Sequence, residues 1–288
     1  MGKIIDGKAL AQHISAGIRE RVEILRQRGI IPKLAVILVG DDPASMVYVN
    51  LKSKRASELG IAVEQYMFAA DLAEERLVDL IDSLNRDESV HGILVQLPLP
   101  EQIDSVRVLA RVSPAKDVDG FHSQNAGALL TGREGFLACT PKGIVALVKS
   151  TGTSIEGKRC VVVGRSNIVG KPAAILMLRE NATVTICHSY THDLGRITKE
   201  ADILICAVGH AALITADMVK PGAVVIDVGQ SRVNDKWHGD VDYEAVLSIA
   251  SYITPVPGGV GPMTIIMLMD NTVEAAERSI PAYGYHGA

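Results

Sequence analysis

An α/β fold with mostly parallel strands is predicted, on three observations. The chain has 288 residues, 48% of them hydrophobic, enough for two modest domains or one large one with a substantial core. Short β-favouring apolar runs alternate with amphipathic helical stretches along most of its length, the order that builds parallel sheets. From Cys160 to Pro172 an apolar run stops at Gly164, a polar turn follows, and Gly170 and Pro172 open a helix. Strand, glycine turn and helix in that order bring backbone N–H groups and a positive helix end to a phosphate.

The elements follow from local chemistry. Asp6 reads as the N-cap of a first helix that ends at Gly29. Lys33 to Val39 reads as a strand, Pro43 to Leu59 as a helix closed by Gly60, and Ala62 to Phe68 as a strand. Asp71 with Glu74 has the spacing of a capping box for the next helix. Gly92 to Gln96 reads as a strand ended by the rigid LPLP. Thr140 and Pro141 start a helix to about Ser150, a bridge between two halves, and the polar stretch Thr151 to Lys158 follows. Four more strands are expected at Arg159–Val163, Thr183–Cys187, Ile203–Val208 and Ala223–Val228. A last helix is expected from about Pro262 to Arg278, after the stiff loop PVPGGVG.

Composition narrows the function classes. Net charge is −4 with no long basic run, so no nucleic-acid partner is expected. Cys139, Cys160, Cys187 and Cys206 are far apart and form no C-x-x-C pair; they read as buried free thiols, and no metal site is expected. MGKIIDGKAL lacks the apolar core of a signal peptide, and no apolar run is long enough to span a bilayer. A cytoplasmic protein with no membrane partner is the expectation.

The glycine turn departs from the usual dinucleotide fingerprint, because Arg165 and Ser166 stand where a second glycine would be. Arg165 adds a fixed positive charge with a planar fork of donors. A carboxylate about 20 residues on, which would bind the ribose of NAD, is missing from Cys187–Thr191; Ser189 there can donate to a phosphate. Both features favour NADP.

Other candidates keep two readings. Tyr48 and Lys52 are four apart and share a helix face. That face is either a solvated surface or it turns Lys52 into a cleft, where a lysine can exchange protons. Gln96 ends an apolar strand and either points into a ligand site or caps a loop carbonyl. In KDVDGFH, Asp117 reads as the anchor of a turn. Asp119 could accept hydrogen bonds from a ligand's N–H groups. His13 reads as structural, and His210 lies at a strand end with no assigned role.

Together YVNLK, GILVQLPLP, KDVDGFH, GRSNIVGKP, ATVTICHS and PVPGGVGPMT stand in the order and approximate spacing of the FolD family. The chain resembles that family of methylenetetrahydrofolate dehydrogenase/methenyltetrahydrofolate cyclohydrolases from Ile4 to about Thr272. The resemblance implies two α/β domains flanking a cleft: a folate and catalytic domain over 1–140, joined by a C-terminal helix at about 262–288, and a Rossmann-like NADP-binding domain over 141–261. It implies tetrahydrofolate one-carbon derivatives as substrates and a homodimer. By position, Lys52 matches the catalytic lysine, Tyr48 the tyrosine against the folate, Gln96 the glutamine beside the lysine, and Asp119 the carboxylate that holds the pterin. Arg165 and Ser189, with Gly164, Ser166 and Gly170 of the turn, fall on the cofactor side. Pro257, Gly258 and Gly259 match a loop lining the folate and nicotinamide pockets. Tyr190 stands where a basic residue is common, which implies a weaker phosphate pocket, and DVGQSR and VGHAAL also depart from the common pattern.

Overall fold

A computed structural model describes residues 2–233 and 236–280. In chain order the elements are β1 (Lys3–Ile4), α1 (Gly7–Gln27), β2 (Lys33–Val39), α2 (Pro43–Glu58), β3 (Ala62–Phe68), α3 (Glu74–Arg86), β4 (Gly92–Val95), α4 (Ser105–Arg111), α5 (Ser123–Thr131) and α6 (Cys139–Ser150). They continue with β5 (Arg159–Val163), α7 (Gly170–Arg179), β6 (Thr183–Cys187), α8 (Leu194–Thr198), β7 (Ile203–Cys206), β8 (Val224–Asp227), β9 (Ser231–Val233), β10 (Lys236–His238), α9 (Tyr243–Leu247), β11 (Tyr252–Ile253) and α10 (Val260–Arg278).

The chain divides into two compact units. One takes residues 15–125 and 268–280; its sheet has the order β3-β2-β4 and is parallel throughout. The other takes residues 2–14 and the described residues of 126–267; its sheet has the order β1-β11-β8-β7-β5-β6, again all parallel. Residues 2–14, inside the folate-side span of 1–140 expected from the sequence, cluster instead with the larger unit. The cause is backbone pairing: β1 adds to β11 as the edge strand of the six-stranded sheet, a long-range bond that a two-residue strand does not announce.

Parallel strands covered on both faces read as unbroken apolar runs. β4, β7 and β8 are buried along their whole length, and β2 after its first residue. In the smaller unit Ile37, Leu77, Ile81, Leu84 and Ile93 pack into one cluster; in the larger, Val161, Leu204, Val225 and Ile253 do so. No helix among the described residues is long and apolar enough to cross a membrane.

Several starts and stops follow the sequence signals. Asp6 accepts from the Ala9 N–H at 3.0 Å, and Asp42 accepts from Ser45 at 2.8 Å with Pro43 opening α2, both as N-caps do. The capping box at Asp71 and Glu74 does not form: α3 starts after Ala73 with no side-chain cap. The Glu74 carboxylate instead accepts from the Asp104 N–H at 2.7 Å and pairs with Arg107 at 2.8 Å. It ties α3 to the start of α4, a short helix that the sequence pattern did not single out.

The segment after α4 runs beside β4. Lys116 O accepts from the Ile93 N–H at 2.8 Å, and the buried Asn271 amide of α10 donates to Val118 O at 2.8 Å. Gly92 makes this approach possible, since a Cβ there would stand 2.8 Å from a Val118 methyl. Gly92→Ala is expected to destabilise the protein by about 1–3 kcal/mol through overpacking. A urea unfolding curve checks this; an unchanged midpoint would show that the segment yields freely.

Candidate active site and cofactor turn

In the smaller unit α2 and the end of β4 meet at one pair of side chains. Lys52 is buried, with 8% of its surface exposed, while Leu51 and Lys54 on either side are exposed. Its ammonium donates to Gln96 Oε1 at 3.0 Å. The Gln96 amide then donates to Leu97 O at 2.6 Å, and its backbone N–H donates to Ile37 O at 2.9 Å. One side chain therefore makes two bonds: its nitrogen caps a loop carbonyl, as one of its two readings had it, and its oxygen accepts from Lys52. Of the two readings of the Tyr48–Lys52 face, the solvated surface is the one the structure excludes. Tyr48, one turn before Lys52, is half-buried.

The KDVDGFH segment is held by its own residues. Lys116 donates to Leu84 O at 2.8 Å and to Asp87 O at 2.6 Å, at the end of α3. Burial pulls its ammonium below the usual lysine range. Asp117 accepts from the N–H groups of Phe121 and His122 at 3.1 and 2.8 Å and from Asn125 at 2.8 Å. It is the turn anchor that the sequence suggested, and burial pushes its carboxyl up despite those donors. Asp119, two residues on, is half-buried in the same turn.

In the larger unit the glycine turn follows β5. Gly164 has φ +125°, and a Cβ there would meet Ala207 O at 2.3 Å. A Cβ on Gly170 would meet Gly164 O at 2.3 Å. The two glycines let the start of α7 and the loop after β7 close on the turn. Ser166 Oγ accepts from the N–H groups of Val169 and Gly170, each at 3.2 Å, so its oxygen caps α7. Arg165 and Ser189 are exposed, the latter in the turn after β6. The PVPGG loop belongs to the same unit: Val256–Pro257 is cis, and Gly259 donates to Pro255 O at 2.9 Å. Gly258 adopts φ +112°.

All four cysteines are buried free thiols. No group of three or more His, Cys, Asp or Glu among the described residues is placed to hold a metal ion. A cavity of about 420 Å³ at the amino-end edge of the three-stranded sheet is lined by Ile30, Ile31, Lys33, Ala62, Ser89 and His91. None of them is a candidate site residue.

The chain matches two family models. Residues 5–119 match the tetrahydrofolate dehydrogenase/cyclohydrolase catalytic domain, and residues 138–280 match the NAD(P)-binding domain of the same family. The chain belongs to the tetrahydrofolate dehydrogenase/cyclohydrolase family. A bifunctional protein FolD from an Exiguobacterium strain is 60% identical over 278 residues, spanning 96% of this chain and 100% of that protein. The crystal structure of the bifunctional FolD from Campylobacter jejuni is 48% identical with a TM-score of 0.95, over 97% of this chain and 100% of that one. The Trypanosoma brucei dehydrogenase-cyclohydrolase, solved with NADP cofactor and inhibitor, is 39% identical with a TM-score of 0.94, over 98% and 99%.

For a member of this family, the chemistry of the turn after β5 fits a phosphate-bearing cofactor such as NADP. The turn has glycines where backbones must close, an exposed cation at Arg165 and an exposed hydroxyl at Ser189. Sequence reasoning missed two carboxylates that shape the neighbouring loops. Asp240 is fully buried and accepts from the N–H groups of Val208, Gly209 and His210 at 2.6, 3.2 and 2.8 Å. Asp227, at the end of β8, accepts from Asp240 N and Val241 N at 2.8 and 3.1 Å. The DVG of DVGQSR contains Asp227 without giving it a role; nothing local marked Asp240.

Burial pushes the Asp227 carboxyl up to about 7. An unfolded aspartate titrates at about 3.9. Between these values the folded state keeps a proton that the unfolded chain has lost. This carboxyl's contribution to stability is thus fully present below about pH 4 and is lost as pH rises through about 7. Asp227→Asn, which cannot ionise, is expected to flatten that part of the stability profile. Urea midpoints taken across the interval check this, and an unaltered slope would assign it to other groups.

Proposed function

We infer that this protein oxidises 5,10-methylenetetrahydrofolate to the methenyl compound with NADP⁺ and then hydrolyses that product to 10-formyltetrahydrofolate. The observation that carries the reading is a buried lysine hydrogen-bonded to a strand-end glutamine, in a chain of the dehydrogenase/cyclohydrolase family. When bound, NADP⁺ supplies the acceptor for the hydride that leaves the one-carbon bridge. Ring nitrogens stabilise the cationic product, so that step asks the protein mainly for alignment.

Hydrolysis asks for more. Water adds to the methenyl carbon and the ring opens, which moves protons. Those transfers are assigned to Lys52, and Gln96 Oε1, which accepts from its ammonium, helps to orient it. Tyr48, on the same helix face, packs against the folate. Asp119 accepts from pterin N–H groups, and the Lys116 and Asp117 bonds hold its turn still. Pro257, Gly258 and Gly259 line the folate and nicotinamide pockets. On the cofactor side the Gly164–Gly170 turn receives phosphate, with Arg165 and Ser189 reading the 2′-phosphate. The same reading extends to a homodimer acting in the cytoplasm, as the family likeness suggests.

The direct test supplies methylenetetrahydrofolate with NADP⁺ or NAD⁺ and follows reduced cofactor, methenyl and formyl species together. Formyl product with NADP⁺ as the better cofactor is expected. Methenyl compound as the end product would reduce the protein to a dehydrogenase.

Two substitutions test the two sides. Asp119→Asn turns part of an acceptor into a donor and leaves pterin N–H groups poorly matched. Folate affinity and both activities are expected to fall while NADP⁺ affinity stays; unchanged folate affinity in a titration would remove Asp119 from the site. Arg165→Ala removes a charge-assisted contact worth ~1.5–3 kcal/mol, about ten- to a hundredfold in NADP⁺ affinity, with NAD⁺ little affected. Equal losses for the two cofactors would show that Arg165 does not read the phosphate.

A further inference from the structure

The turn after β6 is built from its own residues. The His188 N–H donates to Thr191 Oγ1 at 2.8 Å, and the Thr191 N–H returns to His188 O at 2.8 Å. The Tyr190 N–H donates to His188 Nδ1 at 3.2 Å. These bonds fix the backbone under Tyr190, and the His188 ring meets the Tyr190 ring edge-on with centroids 6.1 Å apart. Arg165 lies over the same Tyr190 ring, its guanidinium carbon 5.4 Å from the ring centroid. Tyr190 is 76% exposed, so core packing does not account for its position.

We propose that Tyr190 is a specificity-determining positioning residue: its ring holds the Arg165 guanidinium ready for the 2′-phosphate of NADP. The inference rests on the reading of Arg165 as the phosphate-binding residue. A tyrosine brings no charge to a phosphate, and from the sequence it implied a weaker pocket. The geometry gives it a different part. A guanidinium held against an aromatic ring keeps N–H groups for a phosphate, because the ring attracts the cation without using a conventional acceptor. A free arginine side chain loses much rotamer freedom when it binds, and holding it beforehand reduces that loss. NAD has no 2′-phosphate, so the gain falls on NADP alone.

The test is a set of NADP⁺ and NAD⁺ affinities by direct titration for the parent, Tyr190→Ala, Tyr190→Phe, Arg165→Ala and the double variant Tyr190→Ala/Arg165→Ala. An exposed cation–π contact of ~0.5–1 kcal/mol corresponds to about a two- to fivefold weaker NADP⁺ for Tyr190→Ala. NAD⁺ affinity is expected to hold, and Tyr190→Phe, which keeps the ring, is expected to match the parent. In the Arg165→Ala background, removing the ring is expected to change nothing further. If Arg165→Ala loses NADP⁺ selectively while Tyr190→Ala binds both cofactors like the parent, the proposal falls and the reading of Arg165 stands. The proposal also falls if Tyr190→Ala weakens both cofactors alike, if its loss persists without Arg165, or if Tyr190→Phe loses as much. If Arg165→Ala shows no selective loss, the reading of Arg165 falls and the proposal falls with it.

Discussion

The proposed chemistry depends on one hydrogen bond, from the Lys52 ammonium to Gln96 Oε1 at 3.0 Å. A buried ammonium is costly unless it is hydrogen-bonded. Here the partner is a neutral amide, so the lysine is oriented without being locked into a salt bridge. Everything that places the amide is backbone: β4 is buried throughout, and the Gln96 N–H closes on Ile37 O. The lysine itself is carried by α2, started by Asp42 and Pro43 and braced where Arg55 donates to Ser15 Oγ at 2.6 Å. The bond exists because a helix face and a strand end are each fixed independently.

The larger unit applies the same logic to backbone instead of side chains. Loops after β5, β6, β7 and β8 gather at the carboxyl edge of a parallel sheet, where such folds bind ligands. Close approach at Gly164 and Gly170 brings the loop after β7 and the start of α7 onto the turn. Asp240 gathers three N–H groups of the loop after β7, and Asp227 holds the backbone around Asp240. Two buried acids would be a poor choice for stability alone. Their donors are backbone groups that would otherwise need partners, which is how buried polar groups are tolerated.

Much of this was legible in the sequence, for identifiable reasons. The long strands and helices carry strong periodicity and clear caps, and Asp6, Pro43 and Asp117 act as their residue types suggest. Lys52 was legible only as an alternative, since its spacing fits a surface as well as a cleft; burial excludes the solvated surface. Features that depend on distant partners were not legible. β1 is two residues long and makes sense only against β11. Glu74 bonds to Asp104 instead of its own helix start. Asp240 serves a loop 30 residues earlier in the chain. The pairing of Tyr190 with Arg165 joins two turns that no local pattern links.

The central claim is that Lys52 moves protons in hydrolysis while hydride transfer needs mainly alignment, and one variant separates the two. Lys52→Met keeps much of the stem's bulk, removes the amine and leaves a good helix former in α2. Both reactions are measured on the same folded preparation, hydrolysis starting from methenyltetrahydrofolate and oxidation from methylenetetrahydrofolate with NADP⁺. Hydrolysis is expected to fall by ~10²–10⁴, the usual loss for a general acid or base, while some oxidation persists and methenyl product accumulates. Hydrolysis at the parent rate in the correctly folded variant would contradict the account and move the proton transfers to another group.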